Sequence, residues 1–193
     1  MKAVYEAWKA RMSRLPHAEA EFERWLFVKC AGVLFGEKAG ELLVLRSGCK
    51  DLSREDRLRR IADLSRSWHF SCLLLNQGHE GHKVIVYNRA RLHQTLNRVP
   101  ERVLARLGYR PGVEARGFLG EIKQRWEGTG RIPHEVGLAL GYPLKDVLGF
   151  MGLYPLRYTG GCGWRIYGNP ARSLRKSRRF KQARERALVF LEH

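Results

Sequence analysis

The sequence predicts an α+β fold, a small antiparallel sheet wrapped by helices, on three observations. Two apolar runs, Phe70 to Leu75 and Lys83 to Tyr87, flank a turn punctuated by Gly78 and Gly81, as an antiparallel hairpin requires. Around them lie many stretches with apolar residues three and four apart, the period of an amphipathic helix. No repeat, low-complexity segment or linker divides the chain, and 193 residues at 44% hydrophobic content suffice for one core. The expected organisation is an N-terminal helix or arm over residues 1–16, then a single α+β domain over 17–193.

Taken in order, Tyr5, Trp8 and Met12 fall at helical spacing, and Leu15-Pro16 reads as a stop. Ala20, Phe22, Trp25, Leu26 and Val28 then give an amphipathic helix running into Cys30. From Cys30 to Leu45 the glycines at 32, 36 and 40 fall four apart, so on a helix they align along one face that lets a backbone or a ligand come close. The P-loop spacing is absent, but Lys38 stands beside these glycines and would suit an anion, or else serve as a solvated helix charge. Asp51 to Trp68 is a helix whose Ser53 and Asp56 fit an N-cap pattern, with Leu58, Ile61, Leu64 and Trp68 inward.

The hairpin spans residues 70–87. Its turn, His79-Glu80-Gly81-His82, lacks the order of zinc peptidases, and a turn holds coordination geometry poorly, so solvated histidines are expected there and no metal site is assigned. Helices follow from Arg89 to Asn97, Glu101 to Leu107 and Val113 to Glu127. Next come two short helices meeting at a corner: Pro133 opens the first, Gly141 closes it in a left-handed cap, and Pro143 opens the second. Val136, Leu138, Leu140, Leu144, Val147, Leu148 and Phe150 should bury that pair. Met151 to Gly163 reads as loop, and 164–168 as a short strand that could join the sheet. The last helix, Ala171 to Phe190, should turn Leu174, Phe180, Ala183, Ala187 and Phe190 inward and a basic face outward.

Composition bounds the partners. The 36 Lys and Arg exceed the 19 Asp and Glu, for a formal charge of +17, so the surface attracts polyanions at low salt. Four cysteines without C-x-x-C spacing suit free thiols in a reducing cytoplasm, and no run approaches the roughly 18 apolar residues of a membrane span. A cytoplasmic protein without a membrane partner is expected.

The run Pro133-His-Glu-Val-Gly-Leu-Ala-Leu-Gly-Tyr-Pro-Leu-Lys-Asp-Val-Leu-Gly-Phe150 resembles the signature of an uncharacterised bacterial family, domain of unknown function 3793. Members of that family typically read Pro-His-Glu-Ile-Gly-Leu-Phe-Leu-Gly-Tyr-Pro-Leu-Glu-Asp-Val and then Gly-Phe. Cys30-Ala-Gly-Val-Leu-Phe-Gly-Glu-Lys38 is similar to the family's Cys-Ala-Pro-Thr-Leu-x-Gly-x-Lys block, and Gly163-Trp-Arg-Ile-Tyr-Gly168 to its Gly-x-Trp-Lys-Val-Tyr block. Gly32 and Val33 replace the usual proline and threonine, and Lys145 stands where an acid is common. The resemblance supports one fold unit from about residue 20 to residue 190 and implies no activity, cofactor or partner.

The candidate ligand-binding residues are Cys30, Lys38, His134, Glu135, Trp164 and Tyr167, all within those three blocks. If the blocks pack together, they would line a pocket of few polar groups on an apolar wall. His134 and Glu135 could form an acid–base pair, and Cys30 with His134 a thiolate–imidazole pair or a ligand set for a metal or haem iron. Each has a structural alternative: Glu135 opposing a helix dipole, His134 capping, Cys30 as a small buried hydrophobe, Trp164 and Tyr167 as strand residues. The leading expectation is a binding or accessory protein with a small-molecule or metal/cofactor pocket near the 132–150 corner, its cofactor unknown, and a small molecule or a protein as partner. The alternatives are nonspecific nucleic-acid binding through Arg175, Arg178 and Arg179 of the last helix, and an enzyme using Cys30 or His134, for which no complete catalytic motif is present.

Overall fold

The computed structural model describes residues 2–46, 52–78 and 81–193. At its centre is a three-stranded antiparallel sheet made of Gly40–Leu45 (β1), Ser71–Gly78 (β2) and Gly81–Tyr87 (β3), in the order β1-β3-β2. The middle strand sets Val86 opposite both Glu41 and Cys72, and Ile85 opposite Leu42 and Leu73. A strand apolar at consecutive positions needs cover on both faces. Val84-Ile-Val-Tyr87 has it: Val84 and Val86 pack with Leu43 and Leu45 on one face, Ile85 and Tyr87 with Leu75 on the other.

The first face is covered by Lys2–Met12 (α1), His17–Phe35 (α2) and Arg54–Ser67 (α3). The second is covered by Arg89–Leu96 (α4), Glu101–Arg106 (α5), Ala115–Thr129 (α6), Val136–Ala139 (α7) and Leu144–Phe150 (α8). A separate hairpin, Tyr158–Gly161 (β4) and Arg165–Tyr167 (β5), lies against α8. The last helix, Ala171–Glu192 (α9), runs along α2 and adds Ala187 to the first-face core. Helix, sheet and helix thus form three layers.

Local chemistry sets the boundaries. The Ser53 hydroxyl accepts the Asp56 N–H at 3.0 Å and Asn88 Oδ1 accepts the Arg91 N–H at 3.0 Å, so α3 and α4 start on side-chain caps. At α1, Tyr5, Trp8 and Met12 are all buried, and the Trp8 ring stacks on Phe27 at 4.6 Å. The indole N–H of Trp8 donates to Glu23 at 2.7 Å, and Arg11 and Arg60 donate to the same buried carboxylate. That one acid ties α1, α2 and α3 together, and its three donors satisfy the burial. Gly141 takes the left-handed conformation (φ 71°) at the corner, and the Tyr142 N–H reaches back to the Gly137 carbonyl at 2.9 Å.

Several elements differ from the sequence expectation. The glycines at 32, 36 and 40 do not share a helical face, because α2 ends at Phe35 and Gly40 opens β1. The 164–168 strand forms at 165–167, but it pairs with β4 in its own sheet while β1 supplies the third strand of the main one. The inward stripe of α9 passes through Ser173 and Ser177, leaving Leu174 40% exposed. Both serines are small and both spend their hydroxyls, on Asp146 and on the Cys162 carbonyl, which draws that edge of the helix inward. Phe150, expected in the core, is 39% exposed. Among the described residues no helix is long and apolar enough to cross a membrane.

Candidate functional site

Asp146, in the first turn of α8, is 1% exposed and organises the corner. Its carboxylate accepts from Trp164 Nε1 at 2.8 Å, the Tyr167 N–H at 3.0 Å, Ser173 Oγ at 2.6 Å and Lys145 Nζ at 2.6 Å. Burial alone would raise this carboxyl, but the hydrogen bonds from Lys145, Ser173, Tyr167 and Trp164 outweigh it and hold the group below the usual aspartate value. The β4–β5 hairpin and the start of α9 are thereby pinned to α8. Tyr167 finishes the joint: a Cβ on Gly149 would lie 2.6 Å from the Tyr167 ring, so the ring packs directly on the bare backbone of α8.

This joint fixes Trp164 against Tyr142, with the rings stacked at 4.6 Å and 19°. On one side of the pair opens a cleft of about 430 Å³ lined by Ile132, His134, Val147, Phe150, Trp164 and Arg165. His134 meets Phe150 edge to face at 4.8 Å, and the Arg165 guanidinium lies over the same ring at 5.4 Å. Asp146 also borders the cleft, but it already accepts four hydrogen bonds. The remaining walls are apolar and aromatic, with one imidazole and one guanidinium as polar groups.

Across the stacked pair is a smaller hollow, about 260 Å³, whose lining includes Lys38, Glu41, Tyr142, Cys162, Trp164 and Phe180. Lys38 Nζ is paired with Glu41 at 2.5 Å and stands 5.4 Å from the centre of the Phe180 ring. The glycines near Lys38 serve contacts within the chain. A Cβ on Gly32 would meet the Lys38 stem at 3.0 Å, one on Gly36 would meet Ala183 of α9 at 2.9 Å, and one on Gly40 the Ala139 carbonyl at 2.7 Å.

Of the six candidate residues, the structure brings Lys38, His134 and Trp164 to the two hollows that Tyr142 and Trp164 divide. Tyr167 supports them from behind. Cys30 and Glu135 lie elsewhere. Cys30 is fully buried on the α2 side of the sheet, where burial, with a contribution from Glu41, pushes its thiol well above the ordinary value. Glu135 follows His134 in a tight turn, and its buried carboxylate accepts from Tyr109 at 3.0 Å and Arg125 at 2.8 Å on the far side of the corner. Burial and the Glu135 charge push the Tyr109 hydroxyl far above its usual pKa, so it stays protonated as the donor to Glu135. His79 and Glu80 lie outside the described residues, and His82 is buried on β3. Among the described residues no three His, Cys, Asp or Glu side chains are placed to hold a metal ion.

A third cleft, about 760 Å³, opens between α4 and α9. Arg91 faces it from α4 and Arg98 from the turn that follows, and Arg172, Arg175, Lys176 and Arg179 face it from α9. Arg178, on the same helix, does not line it. Burial, and then repulsion from Arg172, Arg98 and Arg179, lower the pKa of Lys176. The sequence signal for half of this site was present, since cations at 172, 175, 176 and 179 share one helical face. Its other half was hidden in the ordinary-looking helix α4 and the turn after it.

The fold and these clefts define a three-layer α+β protein with one aromatic cleft and one basic cleft. Residues 26–193 match the family described as protein of unknown function (DUF3793), and the chain belongs to that family. No curated protein and no solved structure matches it.

Proposed function

We propose that the protein binds a small molecule in the cleft at the 132–150 corner. The observation that carries this reading is the Tyr142–Trp164 stack, held in place by a buried carboxylate and facing open space. A rigid aromatic wall opposite His134 and Phe150 suits a planar, largely apolar body, and Arg165 suits an acidic substituent on it. The volume of about 430 Å³ is that of a small-molecule site. Free thiols at Cys30, Cys72 and Cys162 favour the cytoplasm as its place of action.

The reading as an enzyme on Cys30 has less support, because a thiol that is buried and hard to ionise is a poor nucleophile. His134 is exposed at the cleft and remains available to a bound ligand. The test is a thermal-shift screen of planar aromatic carboxylates against the wild type and Phe150→Ala. A ligand that binds the folded state must raise the unfolding temperature. The expected result is a concentration-dependent rise that Phe150→Ala removes, and an equal rise in that variant would refute the placement.

A further inference from the structure

We propose that the cleft between α4 and α9 is a second binding site, for a small molecule carrying an oligophosphate group. Six cations line it, one from α4, one from the turn after α4 and four from α9, against a single carboxylate, Glu37. Glu37 is already paired with Arg179 at 2.9 Å, and Arg91 donates to the Val33 carbonyl at 2.6 Å, which holds its guanidinium in place. Arg98, Arg172, Arg175 and Lys176 make no ion pair or hydrogen bond from their side chains with any described residue. Like charges gathered on a concave wall repel one another, and the fold holds them there with one carboxylate, Glu37, which is ion-paired to Arg179 and acts on Lys176 only through space. An anion with several negative charges relieves that repulsion, and arginine forks match phosphate oxygens two at a time.

The shape selects the class of ligand. A volume of about 760 Å³ lies within the range of sites for nucleotide-sized molecules. A nucleic-acid strand would instead use an extended basic face, and the cations converge on one hollow while Arg178 points away from it. Gln94 and Thr95 add neutral hydrogen-bonding groups beside the cations. The expectation of an anion contact on α9 is thus narrowed from the helix face to Arg172, Arg175, Lys176 and Arg179 with Arg91 and Arg98 opposite.

The experiment is calorimetric titration of the full chain with ATP, tripolyphosphate and adenosine, without added divalent metal. Tripolyphosphate or ATP should bind and adenosine should not. Tighter binding of ATP identifies a nucleotide as the source of the phosphate chain, and tighter binding of tripolyphosphate an inorganic one. The double variant Arg172→Glu with Arg175→Glu should weaken binding by about tenfold or more, whereas Arg178→Glu should change it by less than about threefold. Both arginines of the double variant are exposed, so its thermal unfolding should match the wild type and a folding defect would be visible. Absence of binding by both phosphates, or an equal loss in Arg178→Glu, would overturn the site. A short single-stranded RNA that outcompetes ATP at equal phosphate charge would overturn the ligand class.

Discussion

Trp164 donates its indole N–H to Asp146 across 2.8 Å, and through that bond a loop residue 18 positions away becomes one wall of the corner cleft. Ser173 and the Tyr167 backbone donate to the same carboxylate, so one side chain of α8 positions a hairpin, a helix start and an aromatic ring together. Removing it takes the acceptor from three neutral donors and the counter-charge from Lys145, which keeps only the Tyr167 carbonyl. Asp146→Ala is therefore expected to cost about 3–5 kcal/mol, read as a loss of stability in denaturant unfolding. Asp146→Asn, which keeps part of the acceptor capacity, should cost less.

The same carboxylate sets a pH dependence. Its folded pKa is lowered, so its contribution to stability is fully present above the ordinary aspartate value of about 3.9 and is lost as pH falls through the lower folded value. The stability difference between wild type and Asp146→Asn should be level from about pH 5 to 7 and shrink below about pH 4. Calorimetric unfolding across that range checks it. A difference that grows on acidification would contradict the sign.

Gly149→Ala would ordinarily favour a helix by about 1 kcal/mol. Here the added Cβ would stand 2.6 Å from Cγ and 2.7 Å from Cβ of Tyr167, the near part of the side chain and not its flexible end. Overpacking of this kind costs about 1–3 kcal/mol, so the variant should be net destabilised or neutral, never stabilised. Thermal unfolding reads this directly.

Cys30 should be the slowest of the three described thiols to react. It is fully buried and its pKa is raised, whereas Cys72 and Cys162 are partly accessible. Iodoacetamide labelling followed by peptide mass spectrometry should modify Cys72 and Cys162 in the native protein and Cys30 only on unfolding. Preferential native labelling of Cys30 would revive it as a nucleophile.

The sequence made most of this fold legible where local signals were strong. Ser53 capped its helix as its spacing implied, and Val84 to Tyr87 formed the middle strand. β1 was obscured because Gly32, Gly36 and Gly40 mimic a helical period, although each serves a different close approach. β4 was obscured because Tyr158-Thr-Gly-Gly161 has little strand character and is fixed by pairing with β5. At the site, Trp164 borders both hollows, with His134 in one and Lys38 in the other, so the three resembling blocks do not line one common pocket. The divergence of His134 and Glu135 was not legible, since adjacent residues in a tight turn point to different neighbours. Asp146 was visible as a leftover polar residue, but only the fold shows what converges on it.

Indole N–H resonances report most directly on whether Trp164 lines a small-molecule cleft. The chain has five tryptophans, and Trp164→Phe identifies the one signal that matters. During titration with an aromatic carboxylate that stabilises the protein, that resonance should shift and saturate while the buried Trp8, Trp68 and Trp126 signals stay in place, and Phe150→Ala should abolish the shift. A Trp164 resonance unmoved by a stabilising ligand, or one that moves equally in Phe150→Ala, would contradict the account.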